Sequence, residues 1–435
     1  MSSLRMWSPK EQRQYGLHLL LFIVTCITTT IAGAEWMTGK LFFLGPEEFT
    51  WTGSITWAEF WAGLYFSVPF IGVLTVHEFG HYFTARHYNT SVTLPFYIPL
   101  WFGITAAIGT MGAFIRIKSR IYSRQQFFDI GIAGPLAGFL VALPLLWYGF
   151  THLPAPEHIF TIHPEYKKYG LDYASHVYEQ GVGNFSLGKN LLFMFFEQYV
   201  ATDPGLVPNA YEIIHYPLLF AGYLALFFTA LNLLPIGQLD GGHVLYGLIG
   251  YKRFNRLSPI FFSFFILYAG LGVVSPHHAP LWSEELMLFF VPFTYWAFRK
   301  IVDDRRYSMG AALFMLMLQY SLATTLPDWA GYIWVWPTYM LYLIFVLQPA
   351  VPKLKFALYA AVVILVVQVL ISAFYPEADG YSGWIVYSLL LSRVMGLFHP
   401  SCPNEKPLTP FRKVLGILAF VIFILCFSPT PFVIE

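Results

Sequence analysis

Charge is scarce in this chain of 435 residues: Asp, Glu, Lys and Arg together make up 11% of it. A soluble globular domain carries roughly 25%, and a soluble protein of this length could not cover its surface with so few charges. The charge that is present balances. With 25 basic and 24 acidic residues the net charge is +1, which leaves no electrostatic footprint for nucleic acid. Cysteine is almost missing as well. Cys26, Cys402 and Cys426 are too few for a disulfide framework or a cysteine-based zinc site. Internal repeats, low-complexity tracts and Gly/Ser linkers are not seen. What fills the chain instead is apolar: 57% hydrophobic residues, with 43 Phe, 28 Tyr and 13 Trp, far too many for disorder. The composition is that of an all-α polytopic membrane protein, its core made by helices packing in a lipid bilayer.

A spanning helix needs about 20 mostly apolar residues. The stretch 17–34 qualifies, after a basic segment with Arg5, Lys10 and Arg13. Its length, and the lack of a small-x-small cleavage site, predict a retained span rather than a signal peptide. Further candidates fall at 58–85, 127–150, 216–248, 258–274, 284–300, 308–326, 331–348, 355–375, 384–398 and 411–428, about eleven spans in all. The stretch 284–300 is short and 216–248 is broken. With the N-terminus inside, most Lys and Arg fall in inner loops, among them Arg86, Lys118, Arg120, Arg124, Lys252, Arg253, Arg256, Lys406, Arg412 and Lys413. Basic residues favour the cytoplasmic side, so the expectation is a multi-pass protein of the cell (inner) membrane with a cytoplasmic N-terminus and an external C-terminus. The longest loop, 151–215, then forms a small external cap. Three stretches follow: 1–57 with the first span, 58–250 as a core, and 251–435 as additional helices.

Chemistry concentrates in two places. The second span contains His77-Glu78-Phe79-Gly80-His81. Residues four apart share a helix face, so His77 and His81 can bind one metal ion. Glu78 is then placed to take a proton from an attacking water. This is the H-E-x-x-H arrangement of zinc metalloproteases. Ionisable residues within a span are costly and mark a functional site by default. A catalytic zinc needs a third protein ligand and an open position.

The broken span supplies the candidate. It reads Asn232-Leu233-Leu234-Pro235-Ile236-Gly237-Gln238-Leu239-Asp240-Gly241-Gly242-His243. Asp240 is a carboxylate at membrane depth and needs a partner there. Alone it would read as a helix-ending Asp-Gly-Gly turn. Beside an intramembrane H-E-x-x-H it reads as the third ligand. His243 has two equal readings: a hydrogen-bond donor behind the ligands, or a polar residue at the inner interface.

These two motifs, HEFGH and NLLPIGQLDGG, resemble those of the site-2 protease family of intramembrane zinc metalloproteases. That family carries H-E-x-x-H on one span and N-x-x-P-x-x-x-x-D-G on another, and Asn232, Pro235, Asp240 and Gly241 match the second. The resemblance implies one zinc ion per chain, held by His77, His81 and Asp240. It assigns Glu78 as general base and Asn232 to holding substrate or stabilising the oxyanion. It also implies hydrolysis of single-span membrane proteins, as in regulated intramembrane proteolysis. The stretches 109–114 and 128–138 are similar to archaeal, cyanobacterial and chloroplast members, and parts of 399–429 more loosely. The 151–215 loop is too short for the PDZ domain that many bacterial members insert.

Peptide bonds in a substrate helix are shielded until the helix unwinds, and freed amides in lipid need partners. The stretch 92–118, broken by Pro95, Pro99, Gly103, Gly109 and Gly112, alternates apolar residues near 110–117. It predicts a re-entrant β-hairpin whose edge pairs with an extended substrate. The run Gly131, Ala133, Gly134, Ala137, Gly138 predicts close packing against the catalytic helix. Two other readings compete. CAAX-type membrane proteases also use H-E-x-x-H, but with Glu as third ligand in a different context. The other is a non-proteolytic metal-binding protein or transporter, but transporters commonly show repeated halves with paired broken helices, and this chain has one broken segment and no visible repeat.

Overall fold

The computed structural model describes residues 9–44, 53–178, 185–273, 275–277, 284–301, 304–351 and 353–434; Arg5 of the basic N-terminal segment lies outside them. In chain order the elements are α1 (Pro9–Thr38), α2 (Trp57–Ala62), α3 (Leu64–His87), β1 (Phe96–Leu100), β2 (Gly109–Phe114) and α4 (Arg124–Thr151). The loop after α4 holds α5 (Ile159–Ile162), α6 (Tyr173–Val177), β3 (Phe185–Leu187) and α7 (Leu191–Tyr199). Then come α8 (Pro217–Leu233), α9 (Asp240–Ile249), α10 (Tyr251–Ala269), α11 (Glu284–Ile301), α12 (Arg305–Thr325), α13 (Ala330–Leu347) and α14 (Leu354–Phe374). The chain closes with α15 (Gly383–Leu390), α16 (Pro410–Cys426) and β4 (Phe432–Ile434).

Among the described residues, five helical stretches are long and apolar enough to cross a membrane: Arg13–Thr38, Trp57–His87, Arg124–Thr151, Pro327–Ala350 and Leu354–Phe374. Pro217–Leu233 and Gly383–Met395 are apolar but shorter. Helices occupy the stretches expected to span, mostly within a few residues of the expected ends. The stretch 384–398 differs. Its helix α15 ends at Leu390, runs through a π-turn at Leu391–Met395 and stops at Gly396 with φ +84°, a conformation that glycine adopts without strain.

Contacts divide the chain into two compact units: Met1–Leu234 with His243–Leu248 and Cys402–Glu435, and Pro235–Gly242 with Ile249–Ser401. The last helix, α16, is therefore built into the first unit. That unit's core is aromatic. Phe66 and Phe70 of α3 stack on each other (5.4 Å between ring centroids), and Phe66 also stacks on Phe220 of α8 (5.3 Å). Phe128, Phe150, Phe193 and Tyr223 are fully buried beside them. α4 starts on a capping box, Ser123 with Gln126, which satisfies two otherwise unpaired backbone donors. α8 and α16 start on Pro217 and Pro410, whose missing N–H costs nothing in a first turn.

The first unit has two distinguishable ends. At one, Arg412 of α16 donates to both oxygens of Asp129 on α4 (2.8 Å each), and Tyr88, next after α3, donates to the same carboxylate. The Arg124 amide donates to the Asn404 carbonyl there (2.9 Å). At the other end β3 pairs antiparallel with β4, and Trp36 of α1 lies against Phe185 (5.4 Å). The loop after α4 and the end of the chain thus meet at one end, and α16 runs between the two ends. The β3–β4 pair was not foreseen from the sequence.

β1 and β2 form the expected antiparallel hairpin, with a register shift between Tyr97 and Pro99. The second strand begins and ends earlier than the alternation at 110–117 indicated. The hairpin lies along α1. His18 Nδ1 is 3.0 Å from the Pro95 carbonyl oxygen, Thr28 donates to Gly109 (2.7 Å), and the Trp36 indole donates to Ala107 (2.8 Å). From His18 to Trp36 a helix rises about 27 Å.

The second unit carries polar side chains that clasp helices from within. Gln368 of α14 is fully buried and donates to the carbonyls of Ile266 and Leu267 on α10 (3.2 and 3.0 Å), while Tyr339 of α13 donates to it (3.1 Å). Gln319 donates to the Trp334 carbonyl (3.1 Å). In an apolar setting such bonds hold helices together where packing alone gives little preference.

Candidate metal centre

α3 carries His77, Glu78 and His81, each only 6% exposed. One helical turn separates the histidines, and their Nε2 atoms lie 3.1 Å apart. His81 Nδ1 is 2.7 Å from the Ile130 carbonyl oxygen. A carbonyl only accepts, so Nδ1 carries the proton and Nε2 presents its lone pair. α4 comes close enough for this because of its small residues. A Cβ on Gly134 would fall 2.1 Å from His81 Nε2, and one on Gly138 would fall 3.2 Å from His77 Cβ. On α3 itself, a Cβ on Gly80 would fall 2.6 Å from the Ala133 carbonyl oxygen. The small-residue run therefore has the expected packing role, and Gly134 and Gly138 meet the two histidines directly.

Glu78 Oε1 lies 3.9 Å from His77 Nε2. Asn232, in the last turn of α8, brings its amide nitrogen to 3.5 Å from His77 Nε2. Asp240 is the first residue of α9, whose stretch His243–Leu248 is built into the first unit. Asp240 itself belongs to the second unit, in the stretch Pro235–Gly242. Two imidazoles and a carboxylate are a donor set suited to zinc. In a tetrahedral site with Zn–N of 2.0–2.1 Å, two ligating nitrogens sit about 3.3 Å apart, close to the separation here. His243 stacks its ring on Phe127 of α4 (5.5 Å).

Residues 65–274, just under half of the chain, match the sequence model of peptidase family M50. The 65–274 segment is similar to peptidase family M50. All five candidate residues fall inside it. Curated relatives agree. A probable zinc metalloprotease EGY1, chloroplastic, from Oryza sativa subsp. japonica is 29% identical over 253 residues, 56% of this chain and 39% of that one. A probable zinc metalloprotease EGY2, chloroplastic, from Arabidopsis thaliana is 28% identical over 258 residues, 59% of this chain and 40% of its own length. A probable zinc metallopeptidase EGY3, chloroplastic, from the same plant is 30% identical over 243 residues, 52% and 36% respectively. The chain spans about two fifths of the length of these relatives. No solved structure matches.

The matched segment includes contributors that motif reading did not assign. The Ile130 carbonyl fixes the His81 tautomer. Thr75 of α3 and Tyr97 of β1 share a hydrogen bond of 2.8 Å, which ties the hairpin to α3 one turn before Glu78. In the sequence Tyr97 was marked only by its place in the broken stretch 92–118.

Proposed function

We propose that this chain is an intramembrane zinc endopeptidase that hydrolyses peptide bonds within or next to the transmembrane segments of membrane-protein substrates. The observation that carries this reading is the pair of buried imidazoles His77 and His81, with Nε2 atoms 3.1 Å apart and Glu78 beside them on the same helix. His77, His81 and Asp240 hold the zinc ion. When bound there, zinc polarises the scissile carbonyl and makes water a competent nucleophile at neutral pH. Glu78 takes the proton from the attacking water and returns it to the leaving amine. Its burial keeps bulk water from competing for that proton. Asn232, beside His77, donates its amide to the substrate carbonyl as negative charge develops on the oxygen.

The substrate is a single-span protein whose helix opens at the cleaved bond. The β1–β2 hairpin accepts it. The unwound strand pairs with the hairpin edge, so its freed amides find partners. Three features support a hairpin within the bilayer: its run along some 27 Å of the apolar helix α1, the bond from Tyr97 to Thr75, and the exposed apolar side chains Met111 and Phe114. Eleven spans, in the cell (inner) membrane with a cytoplasmic N-terminus, remain the reading of the basic-residue distribution. The end with Arg124 and Arg412 is then cytoplasmic. His81 lies about 9 Å along the helix axis from the end of α3 at His87, a short path for water from that side.

The test is reconstitution of the purified protein in proteoliposomes with a panel of single-span substrates, using His77→Ala/His81→Ala as the metal-free control. Cleavage by the wild type alone supports the proposal. A panel left intact by the wild type, or cut equally by the control, overturns it.

A further inference from the structure

We propose that the loop between α4 and α8 holds a second zinc ion, bound by His163, Glu212 and His215, which clamps this loop to the end of α1. The site is separate from the α3 group, and the proposal does not depend on proteolysis.

The ligand atoms of these three residues lie within 4.8 Å of one another. His163 Nε2 and His215 Nε2 are 3.3 Å apart, the separation that tetrahedral zinc imposes on two imidazoles, about 3.3 Å. The other nitrogen of each ring is committed to an acceptor. His215 Nδ1 donates to the Trp36 carbonyl (2.5 Å), and His163 Nδ1 to Glu165 Oε1 (3.2 Å). Neither acceptor has a proton to give, so both Nε2 atoms present lone pairs to each other. Such a pair repels unless a cation or a proton lies between.

Glu212 completes the set. It is 1% exposed. One carboxylate oxygen accepts from Tyr178. The other, Oε2, is buried without a hydrogen-bond partner and lies 3.6 Å from His215 Nε2. A buried carboxylate oxygen with nothing to neutralise it is costly, and a divalent cation between it and the two imidazoles removes that cost. Each ligand is also oriented from behind, by Trp36, Glu165 or Tyr178, as metal ligands characteristically are. Two imidazoles and one carboxylate select zinc over magnesium or calcium.

The clamp has a mechanical consequence. Trp36 accepts from His215 through its carbonyl and donates from its indole to Ala107, in the turn of the β1–β2 hairpin (2.8 Å). Loading the second site therefore stiffens the loop, the end of α1 and the hairpin turn together.

Metal content of the full-length protein in detergent tests this. The unaltered chain binds two zinc ions. His77→Ala/His81→Ala retains one, and replacing that ion with Co²⁺ gives the visible absorption of a tetrahedral site. Adding His163→Gln or Glu212→Gln to this background weakens binding at least ten-fold. In case the His77→Ala/His81→Ala protein does not fold, His163→Gln in the otherwise unaltered chain lowers the content from two to one. A content of one that His163→Gln leaves unchanged overturns the proposal, as does a His77→Ala/His81→Ala protein that folds but binds no metal.

Discussion

Gly134→Ala adds one methyl group at the contact between α4 and His81, and it should silence the α3 metal site without unfolding the chain. The new Cβ would lie 2.1 Å from His81 Nε2 and 2.5 Å from each of Cδ2 and Cε1, that is, over the face of the ring. Nonbonded carbon and nitrogen do not approach closer than about 3 Å, and carbon contacts are optimal near 3.5–4.0 Å. The imidazole must therefore retreat by about 1 Å. Zinc ligands tolerate about ±0.2 Å, so the shift is several times what coordination allows. The ring cannot swing freely either, because Nδ1 is bound to Ile130, on the same helix that presents the methyl. Zinc affinity at this site should fall by at least 10–100-fold, and cleavage should fall with it. Gly138→Ala is the graded comparison. Its Cβ meets His77 Cβ at 3.2 Å, so a shift of a few tenths of an ångström suffices and much of the activity should survive. Gly72→Ala, with nothing within 4 Å, is the control. The assay is chelator competition for zinc in parallel with cleavage of a single-span substrate. Wild-type zinc affinity and turnover in Gly134→Ala would refute the geometry described for α3 and α4.

Two further expectations concern the frame. Arg412→Ala removes the paired bonds to Asp129. Charge-assisted bonds contribute up to about 3 kcal/mol, and with the Arg412 side chain 25% exposed screening trims this to about 1–2 kcal/mol. Thermal unfolding in detergent should show a lowered midpoint, and an unchanged midpoint would remove the ion pair from the account of how α16 is held to α4. Single cysteines at the exposed positions 86, 87, 89 and 251–253 should react with an impermeant thiol reagent from the cytoplasmic side only; labelling from outside would reverse the assigned topology.

The legible parts of this molecule are those that local periodicity governs. Helices appear where apolar runs of spanning length occur, and His77 and His81 share a face because a helix brings i and i+4 together. Asp240 could be singled out because a carboxylate at membrane depth needs a reason. The break before it was marked by Pro235 and Gly237, and the structure shows Gly237 at φ +60°. What could not be read are contacts between residues remote in sequence. Nothing local says that Gly134 meets His81 rather than another part of α3, or that Phe432 pairs with Leu187. Gln319 and Gln368 sit alone in apolar runs, and only the packed helices show which carbonyls they reach. His163, Glu212 and His215 are spread over the longest loop, with no common spacing to bring them together before folding does.

The central claim is that Glu78 is the general base of an intramembrane protease, and one measurement addresses it directly. A single-span substrate is incubated in proteoliposomes with wild type or Glu78→Gln, bound zinc is quantified for both, and product termini are mapped by mass spectrometry. The account predicts wild-type cleavage within or next to the span. It predicts equal zinc in the variant, with a rate lower by 10²–10⁴-fold. Near-normal turnover by Glu78→Gln, or cleavage only in segments remote from the span, would contradict it.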